Sequence, residues 1–294
     1  MKVLSLFDGI SCGMVALERA GLLVDRYVAY EIDQAAIGIS KQNYPHIEHC
    51  GDVRDADFSK YAGFDMILAG FPCQDLSINK RNRAGLKGER SGLFWELVRA
   101  IKEVNQKYFL VENNWKMPKE DKDTISRELG VEPILFDSAL VSAQCRKRLY
   151  WTNIPFVGFP ADKHLFVKDI LDSEADGEDL AGITTFNGRK EVPHNRPLRV
   201  GTIGKGGQGE RVYSIQGKTT TLTANGGGRG AKAGLYLIDG KVRKPTAVEC
   251  ERAQTLPDNY TVGLTETGRK KVIGNGWTVD VIAHLLRGMT DGQN

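Results

Sequence analysis

Residues 2–13 read KVLSLFDGISCG, an apolar run that passes through a glycine-containing turn into a helical pattern. The run Lys2–Phe7 is typical of a buried strand, and Met14, Leu17 and Ala20 then recur at helical spacing. Glycines in such a turn let the backbone approach a ligand, and the helix start offers free N–H donors. The first βα turn of a parallel sheet is where nucleotide-like cofactors bind. A tight structural turn explains the same pattern equally well.

Two acidic residues follow the next strand-like segments. Glu31 comes about 20 residues after the turn, where an acid can bind the ribose hydroxyls of a nucleoside. Asp52 ends the following stretch and is a candidate partner for an adenine amino group. Either acid alone is more often a surface residue, but together with the turn they favour a nucleoside cofactor.

The alternation of strand-like and helix-like segments continues through the first half of the chain. Strand-like segments occur at 26–31, 64–69 and 107–112, and helix-like segments at 34–43 and 93–104. Strands that alternate with helices of this length predict βαβ units and a mostly parallel sheet. The expected fold class is therefore α/β.

The sequence changes character after Trp151 and regains a compact pattern near Lys244. Residues 182–243 are glycine-rich and contain eleven Lys or Arg against three acidic residues. Such a basic segment suits a phosphate backbone, although a solvated basic loop has the same composition. We expect one α/β domain with an insert, divided as 1–155, 156–243 and 244–294.

The composition is that of an ordinary globular chain, with 41% apolar and 26% charged residues and a net charge of +3. No apolar run reaches about 18 residues and the start lacks a signal-peptide pattern, so we expect a cytoplasmic protein without a transmembrane helix. The five cysteines are scattered and the five histidines show no ligand spacing. Neither a disulfide framework nor a metal site is predicted, and a thiol can stay free.

Residues 70–77, GFPCQDLS, directly follow a strand-like segment. A cysteine at the carboxyl end of a parallel strand faces the crevice in which ligands bind. Pro72 restricts the backbone just before Cys73, which gives the thiol a defined direction. A free cysteine is usually a small buried apolar residue, but the flanking residues indicate a loop rather than a core here.

Two later motifs end in polar groups. An apolar strand-like segment ends in Glu112, whose carboxyl can enter the same crevice as Cys73; a surface glutamate at a strand end is the alternative. Gln144, Arg146 and Arg148 alternate, so in a strand they would project to one face. Arginine makes planar, directional contacts to carbonyl and carboxylate oxygens, although a charged edge strand would show the same pattern.

In this order, the motifs resemble those of the DNA cytosine-C5 methyltransferase family over nearly the whole chain. The turn at 7–13, called the cofactor loop below, looks like the family's cofactor-binding turn, and GFPCQ looks like its nucleophile motif. The sequence VEN at 111–113 looks like the family's glutamate motif, and QxRxR at 144–148 looks like its base-site motif. Later matches follow in family order at 221–224 (TLTA), 245–252 (PTAVECER) and 274–275 (GN).

Three positions depart from the family pattern. Asp8 stands where many members have Ala, Asn114 where Val is frequent, and GNGWT begins at Gly274 where GNSVP is common. These changes concern the walls of the cofactor pocket more than the reacting groups.

The resemblance implies a class I S-adenosylmethionine-dependent methyltransferase fold, with a mixed, mostly parallel sheet, helices on both faces and a small target-recognition domain at 156–243. It implies duplex DNA as substrate, S-adenosylmethionine as methyl donor and S-adenosylhomocysteine as product. It also implies a bacterial or phage protein of restriction-modification type that acts as a monomer, with any cognate restriction endonuclease acting separately.

The resemblance further implies roles for single residues. Cys73 would add to C6 of a flipped-out cytosine and make C5 electron-rich. Glu112 would bind the N3 and amino edge, while Arg148 and Arg146 hold the O2 side. Residues expected to bind the cofactor are Phe7, Gly9, Ser11, Cys12, Gly13, Glu31, Ile32, Asp52, Val53, Pro72 and Asn275. Residues expected to contact DNA are Gln74, Ser77, Arg81, Gln144, Thr221 and Arg229.

Three other functions fit parts of the pattern. An RNA cytosine methyltransferase would use the same chemistry, and methylation of duplex DNA rather than transfer RNA separates the two. A non-catalytic binding protein on the same fold would tolerate loss of Cys73, Glu112 or Arg148, and all three are present. A nicotinamide-dependent oxidoreductase is disfavoured because the turn lacks Gly-x-Gly-x-x-Gly.

Overall fold

The computed structural model describes residues 1–72, 85–88, 91–173, 175, 185–186, 195–205, 207–224, 229–230 and 233–290. The strands are β1 Lys2–Leu6, β2 Arg26–Tyr30, β3 Glu48–His49, β4 Met66–Ala69, β5 Tyr108–Asn114, β6 Ile134–Asp137, β7 Lys147–Thr152, β8 Thr185–Phe186, β9 Arg199–Thr202, β10 Arg211–Ser214, β11 Leu235–Ile238 and β12 Lys241–Arg243. The helices are α1 Cys12–Arg19, α2 Gln34–Asn43, α3 Phe94–Val104, α4 Lys119–Leu129, α5 Ala247–Ala253, α6 Glu266–Asn275 and α7 Val279–Leu286.

The chain divides into two compact units. The first comprises Met1–Phe136, Lys147–Gly158 and Ala283–Asn294, and the second comprises Asp137–Arg146 and Phe159–Ile282. The boundaries expected from the sequence, 1–155, 156–243 and 244–294, divide the chain by expected function, whereas these two units are defined by compactness. The domain assignment therefore stays a prediction.

A seven-stranded sheet in the order β3-β2-β1-β4-β5-β7-β6 forms the framework of the first unit. The strand pairs β2–β3, β1–β2, β1–β4 and β4–β5 are parallel, whereas β5 and β7 are antiparallel. Every residue of β4 is buried, as in a strand covered on both faces. The predicted mixed, mostly parallel sheet of an α/β fold is confirmed.

The core of the first unit packs apolar residues from the sheet against residues from α3 and α4. Leu4, Ile67, Phe94 and Trp151 are fully buried in it. Removal of this apolar surface from water, worth about 25 cal/mol per Å², is the main force that holds the sheet and helices together. The indole N–H of Trp151 donates to Ser126 Oγ at 3.0 Å, so the polar atom of this buried ring has a partner.

The second unit contains a five-stranded sheet in the order β12-β11-β10-β9-β8. β10 and β11 are parallel, and the other neighbouring strands are antiparallel. Its apolar cluster includes Val200, Val212, Leu235 and Val242. This second sheet lies within the stretch that changes character in the sequence.

Thr246 and Glu249 form a capping box at the start of α5. Thr246 Oγ1 accepts the Glu249 N–H at 3.1 Å, and the Glu249 carboxylate accepts the Thr246 N–H at 2.9 Å. The same carboxylate pairs with Arg243 at 2.5 Å, so the buried charge is compensated.

Throughout the described part of the chain, no helix has the length and apolar character needed to cross a membrane.

Gly288 and Gly38 make a matched pair for a test of close packing. A Cβ added at Gly288 would lie 1.9 Å from the Pro155 carbonyl oxygen, whereas one added at exposed Gly38 in α2 would meet nothing within 4 Å. We expect Gly288→Ala to destabilise the protein by about 2 kcal/mol or more, because the backbone must shift. Gly38→Ala should stabilise it by up to about 1 kcal/mol through helix propensity. Thermal unfolding of both variants checks this, and equal melting shifts would contradict it.

Candidate active site

An ion pair between Glu112 and Arg148 lies near the carboxyl end of β5. Glu112 Oε1 is 2.8 Å from Arg148 Nε, and the two side chains are only 12% and 14% exposed. In the β5–β7 ladder, Asn114 is opposite Arg148 and Glu112 is opposite Tyr150. The arginine is therefore a diagonal neighbour of the carboxylate on one face. Limited access to water strengthens the pair and holds the carboxylate in one orientation.

Asn113 ties β5 to the segment that leads into Cys73. Its Nδ2 donates to the Phe71 carbonyl at 3.0 Å, and both side chains are buried. Phe71 also packs against Phe94, with 5.3 Å between ring centroids. The carbonyl two residues before Cys73 is thus held by the neighbour of Glu112. Cys73 itself lies outside the described residues, as do Gln74, Ser77 and Arg81.

Glu31 joins the end of β2 to the cofactor loop. Its Oε2 accepts the Gly9 N–H at 2.8 Å, and its Oε1 accepts the N–H groups of Ile32 and Asp33 at 2.8 Å each. Three backbone donors therefore fix the direction of this carboxylate. Ile32 beside it is 64% exposed, an apolar side chain available to the face of a ligand.

Three residues of the cofactor loop adopt the left-handed backbone conformation. The φ angle is 59° at Phe7, 61° at Gly9 and 60° at Ser11. Such angles are uncommon for residues other than glycine, and strained backbone of this kind concentrates at binding sites. The buried residues Cys12 and Gly13 then begin α1 directly.

A buried carboxylate, Asp8, organises this loop from within. It accepts hydroxyl hydrogen bonds from Ser5 at 2.6 Å, Ser11 at 2.5 Å and Tyr27 at 2.7 Å. Burial raises the pKa of Asp8, with Glu31 acting in the same direction, whereas the three hydroxyl donors act against that rise. Because the Ser11 hydroxyl points to Asp8, it does not cap α1.

The hydrogen bonds continue from Asp8 to His49 as a chain called the Asp8–His49 relay below. Ser11 Oγ lies 2.6 Å from Ser40 Oγ, which lies 3.0 Å from His49 Nε2. When Asp8 is ionised, it accepts the one hydroxyl proton of Ser11, so Ser40 donates to Ser11 and His49 donates to Ser40. In that state the relay has a proton on His49 Nε2. Sequence analysis missed it because no spacing rule relates residues this far apart.

The remaining cofactor candidates have varied surroundings. Asp52 accepts the Arg54 N–H at 2.9 Å and pairs with the Arg54 guanidinium at 2.6 Å. The side-chain hydrogen bond from Arg54 lowers the pKa of Asp52. Val53 is buried and Pro72 is half-buried, both in the first unit. Asn275, at the end of α6, is exposed and belongs to the second unit.

The expectation that Gln144, Arg146 and Arg148 share one strand face is wrong. β7 begins only at Lys147, so the first two residues precede it. The Arg146 guanidinium is buried and donates to three backbone carbonyls of the second unit. These are the carbonyls of Leu222 at 2.8 Å, Gly274 at 3.3 Å and Gly276 at 3.0 Å. These hydrogen bonds connect Arg146 to the motif at 221–224 and to the motif that begins at Gly274. A catalytic role for Arg146 stays a prediction.

Gln144 is fully buried, and its side-chain amide is engaged within the second unit. Nε2 donates to the Ala253 carbonyl at 3.1 Å and to Gln254 Oε1 at 3.0 Å. Oε1 accepts the Leu222 N–H at 2.8 Å. A contact between Gln144 and DNA stays a prediction, and these bonds would compete with it.

The basic stretch 182–243 is not uniformly available to a phosphate backbone. Lys218 is fully buried, its Nζ donates to three backbone carbonyls at 2.6–2.9 Å, and burial lowers its pKa. Arg243 is buried in its pair with Glu249. Of the candidate DNA contacts in this stretch, Arg229 is exposed, and Thr221 donates its hydroxyl to a backbone carbonyl at 2.7 Å.

Comparison with known families identifies the chain. The model of the family described as C-5 cytosine-specific DNA methylase matches residues 1–130 and 166–291. This chain belongs to that family. It therefore transfers a methyl group from S-adenosylmethionine to C5 of cytosine in DNA.

Two curated relatives have similar sequences over nearly the whole chain. Type II methyltransferase M.HhaI of Haemophilus parahaemolyticus is 30% identical over 307 residues, which cover 97% of this chain and 93% of the relative. Type II methyltransferase M1.ScrFI of Lactococcus lactis subsp. cremoris is 27% identical over 316 residues, with 99% and 78% covered. The resemblance to a family of restriction-modification type is thereby confirmed.

Solved structures share the fold. The S. pombe Dnmt2 methyltransferase matches with a TM-score of 0.72, and the Entamoeba histolytica methyltransferase EhMeth with a TM-score of 0.74. Each is 17% identical to this chain, with 100% of this chain and 99% of the other covered. Identities this low bear on the fold alone. The class I methyltransferase fold expected from the sequence is confirmed.

The Asp8–His49 relay predicts a selective effect on cofactor affinity. We expect His49→Ala to raise the KM for S-adenosylmethionine about 5-fold or more, because Ser40 loses its donor and the relay loosens. The kcat and the KM for DNA should stay near wild type. His49→Gln, whose amide N–H can still donate to Ser40, should retain most of the affinity.

Methyl-transfer kinetics at varied cofactor concentration, with calorimetric titration of S-adenosylhomocysteine, measure this effect. Equal cofactor affinity in His49→Ala and the wild type would show that the relay does not order the loop.

Proposed function

We propose that this chain methylates a flipped-out cytosine in a specific duplex DNA sequence through a covalent bond between Cys73 Sγ and C6 of the base. The observation that carries the proposal is the shielded Glu112–Arg148 pair, whose neighbour Asn113 holds the Phe71 carbonyl just before Cys73. A carboxylate oriented by arginine can receive the N3 and amino edge of cytosine.

The reaction follows from these groups. The Cys73 thiolate bonds to C6, and the electron density that it displaces is shared by C5 and N3. N3 takes up a proton from solvent through the Glu112 carboxyl and returns it the same way when the C6–S bond breaks. Arg148 keeps the carboxylate in place and lies on the O2 side of the ring. Bound S-adenosylmethionine supplies the methyl group that C5 receives. A base then takes the C5 proton, the C6–S bond breaks and the Cys73 thiolate is released.

The cofactor loop fits a nucleoside cofactor. Glu31 presents a carboxylate fixed by three N–H donors, which suits ribose hydroxyls, and exposed Ile32 suits the face of an adenine ring. Asp52 is the proposed partner of the adenine amino group. The residues proposed to hold the cofactor are Phe7, Gly9, Ser11, Cys12, Gly13, Glu31, Ile32, Asp52, Val53, Pro72 and Asn275.

Flipping the base costs a few kcal/mol of stacking and pairing, which contacts to the rest of the DNA must offset. We assign these contacts to a target-recognition domain at 156–243 and to the loop after Cys73. The relatives are type II methyltransferases of bacteria, which supports a bacterial or phage enzyme of restriction-modification type. We further propose that it acts as a monomer in the cytoplasm and that any cognate endonuclease acts separately. The residues proposed to contact DNA are Gln74, Ser77, Arg81, Gln144, Thr221 and Arg229.

Covalent trapping tests the role of Cys73. Duplex DNA amplified from bacterial genomic templates with 5-fluorocytosine in place of cytosine covers many target sequences, and fluorine at C5 cannot leave as the proton does. Wild-type protein should form a denaturant-resistant DNA adduct that requires S-adenosylmethionine, whereas Cys73→Ser should form none. Cys50→Ser removes another free, exposed thiol and should leave the adduct intact. An adduct in Cys73→Ser would overturn the mechanism, and an adduct on transfer RNA alone would overturn the choice of DNA.

The Glu112–Arg148 pair predicts a loss of rate rather than of cofactor binding. We expect Glu112→Gln to lower kcat about 100-fold or more, because the carboxylate that manages the N3 proton is gone. The KM for S-adenosylmethionine should stay within about 2-fold of wild type, since the cofactor loop is unchanged. Glu103→Gln, at an exposed position of α3, is the matched control and should keep full activity. Single-turnover methyl transfer measures the rate, and a wild-type rate in Glu112→Gln would refute the assignment.

A further inference from the structure

Three exposed side chains form a surface called the Trp115 patch below: Trp115, Lys116 and Lys147. The indole of Trp115 is 41% exposed. Lys116 Nζ lies 5.3 Å from the centroid of its ring, and Lys147 Nζ lies 5.6 Å from it. One aromatic face and two cations therefore share a small area of the first unit.

The patch lies at the same ends of β5 and β7 as the Glu112–Arg148 pair, one residue further out and on the alternate face of the ladder. Trp115 directly follows β5, and Lys147 is the first residue of β7. Since Asn114 is opposite Arg148 in the antiparallel ladder, the next positions outward are Trp115 and Lys147. A strand rises about 3.4 Å per residue, so the patch is about 10 Å from Glu112 along β5.

Among the described residues, the two lysines of the patch contact the indole ring but no carboxylate. In the part of the chain that the structure describes, neither lysine has an acidic partner within 4.0 Å. In contrast, nearby Lys119 at the start of α4 pairs with Asp123. Large aromatic side chains contribute most to stability when they are buried, so a tryptophan this exposed at the carboxyl end of β5 is available to a ligand.

We propose that the Trp115 patch binds the DNA strand that carries the target cytosine. The indole stacks on a base or sugar next to the flipped nucleotide, and Lys116 and Lys147 contact the adjacent phosphates. This inference rests on the proposed function, because it presumes that DNA delivers a cytosine to Glu112.

The physical reason is that base flipping leaves the neighbouring bases with uncovered faces. An aromatic side chain can replace the lost stacking on any base, because every base has a π face. Lysines beside that ring neutralise phosphates without regard to sequence. A patch of this composition can therefore support flipping at the target while the second unit reads the sequence.

The proposal predicts separable effects for the ring and for the charges. Trp115→Ala should weaken binding to DNA about 5-fold or more, whereas Trp115→Phe keeps an aromatic face and should retain most of it. Lys116→Ala and Lys147→Ala should each reduce the slope of log affinity against log salt by about 0.9. Lys102→Ala, which removes an exposed lysine from α3, is the matched control and should leave the slope unchanged.

The experiment uses the full chain and a fluorescently labelled pool of random-sequence duplexes that each carry a central mismatched cytosine, because a mismatched base flips at lower cost. Anisotropy titrations between about 50 and 200 mM salt give the affinity and its slope, and S-adenosylhomocysteine titration checks that each variant folds. Reduced slopes in both lysine variants together with weaker binding by Trp115→Ala support the proposal. Wild-type affinity and slope in all three variants would overturn it.

Adduct formation on 5-fluorocytosine DNA separates this result from a failure of the proposed function. If the wild type forms the Cys73 adduct and the variants bind DNA normally, the patch is unrelated to DNA and the function stands. If the wild type forms no adduct, the proposed mechanism fails and the DNA-strand assignment of the patch fails with it.

Discussion

A carboxylate shielded from water near the end of β5 requires a compensating cation, and Arg148 provides it at 2.8 Å. Removing one partner of such a pair would leave a charge whose desolvation costs several kcal/mol, so the pair constrains everything around it. β7 runs antiparallel to β5 in a register that puts Arg148 diagonal to Glu112. Asn113 points to the opposite face of β5, because alternate residues of a strand point to opposite faces. On that face its side-chain amide donates to the Phe71 carbonyl.

The cofactor loop depends on a second set of buried polar groups. The Glu31 carboxylate accepts a hydrogen bond from the Gly9 N–H. Asp8 accepts hydrogen bonds from three hydroxyl groups, and the relay connects it to His49. A left-handed backbone survives in such a loop because the surrounding bonds over-determine it. The departure from the family pattern at Asp8 therefore adds an internal support to the loop.

Much of the first unit could be predicted from sequence. Buried strands such as β1 and β4 appear as apolar runs, and the capping box marks the start of α5. Sequence analysis did not identify α4, because Ile125 and Leu129 are the only large apolar residues that it buries. A helix that is mostly polar lacks the periodic apolar face on which such predictions depend.

By itself, the sequence determined the family, the order of its motifs and the α/β class, because those properties reside in local patterns and their succession. Only the tertiary structure decided which polar residues serve the site and which serve the fold. Arg146 and Arg148 look equivalent in QxRxR, yet one binds carbonyls 76 to 130 residues away and the other binds Glu112. Lys218 counts as one of the basic residues of 182–243, yet its charge is buried against backbone carbonyls. Hydrogen-bond partners so distant along the chain leave no periodic signal, so only the folded chain reveals them.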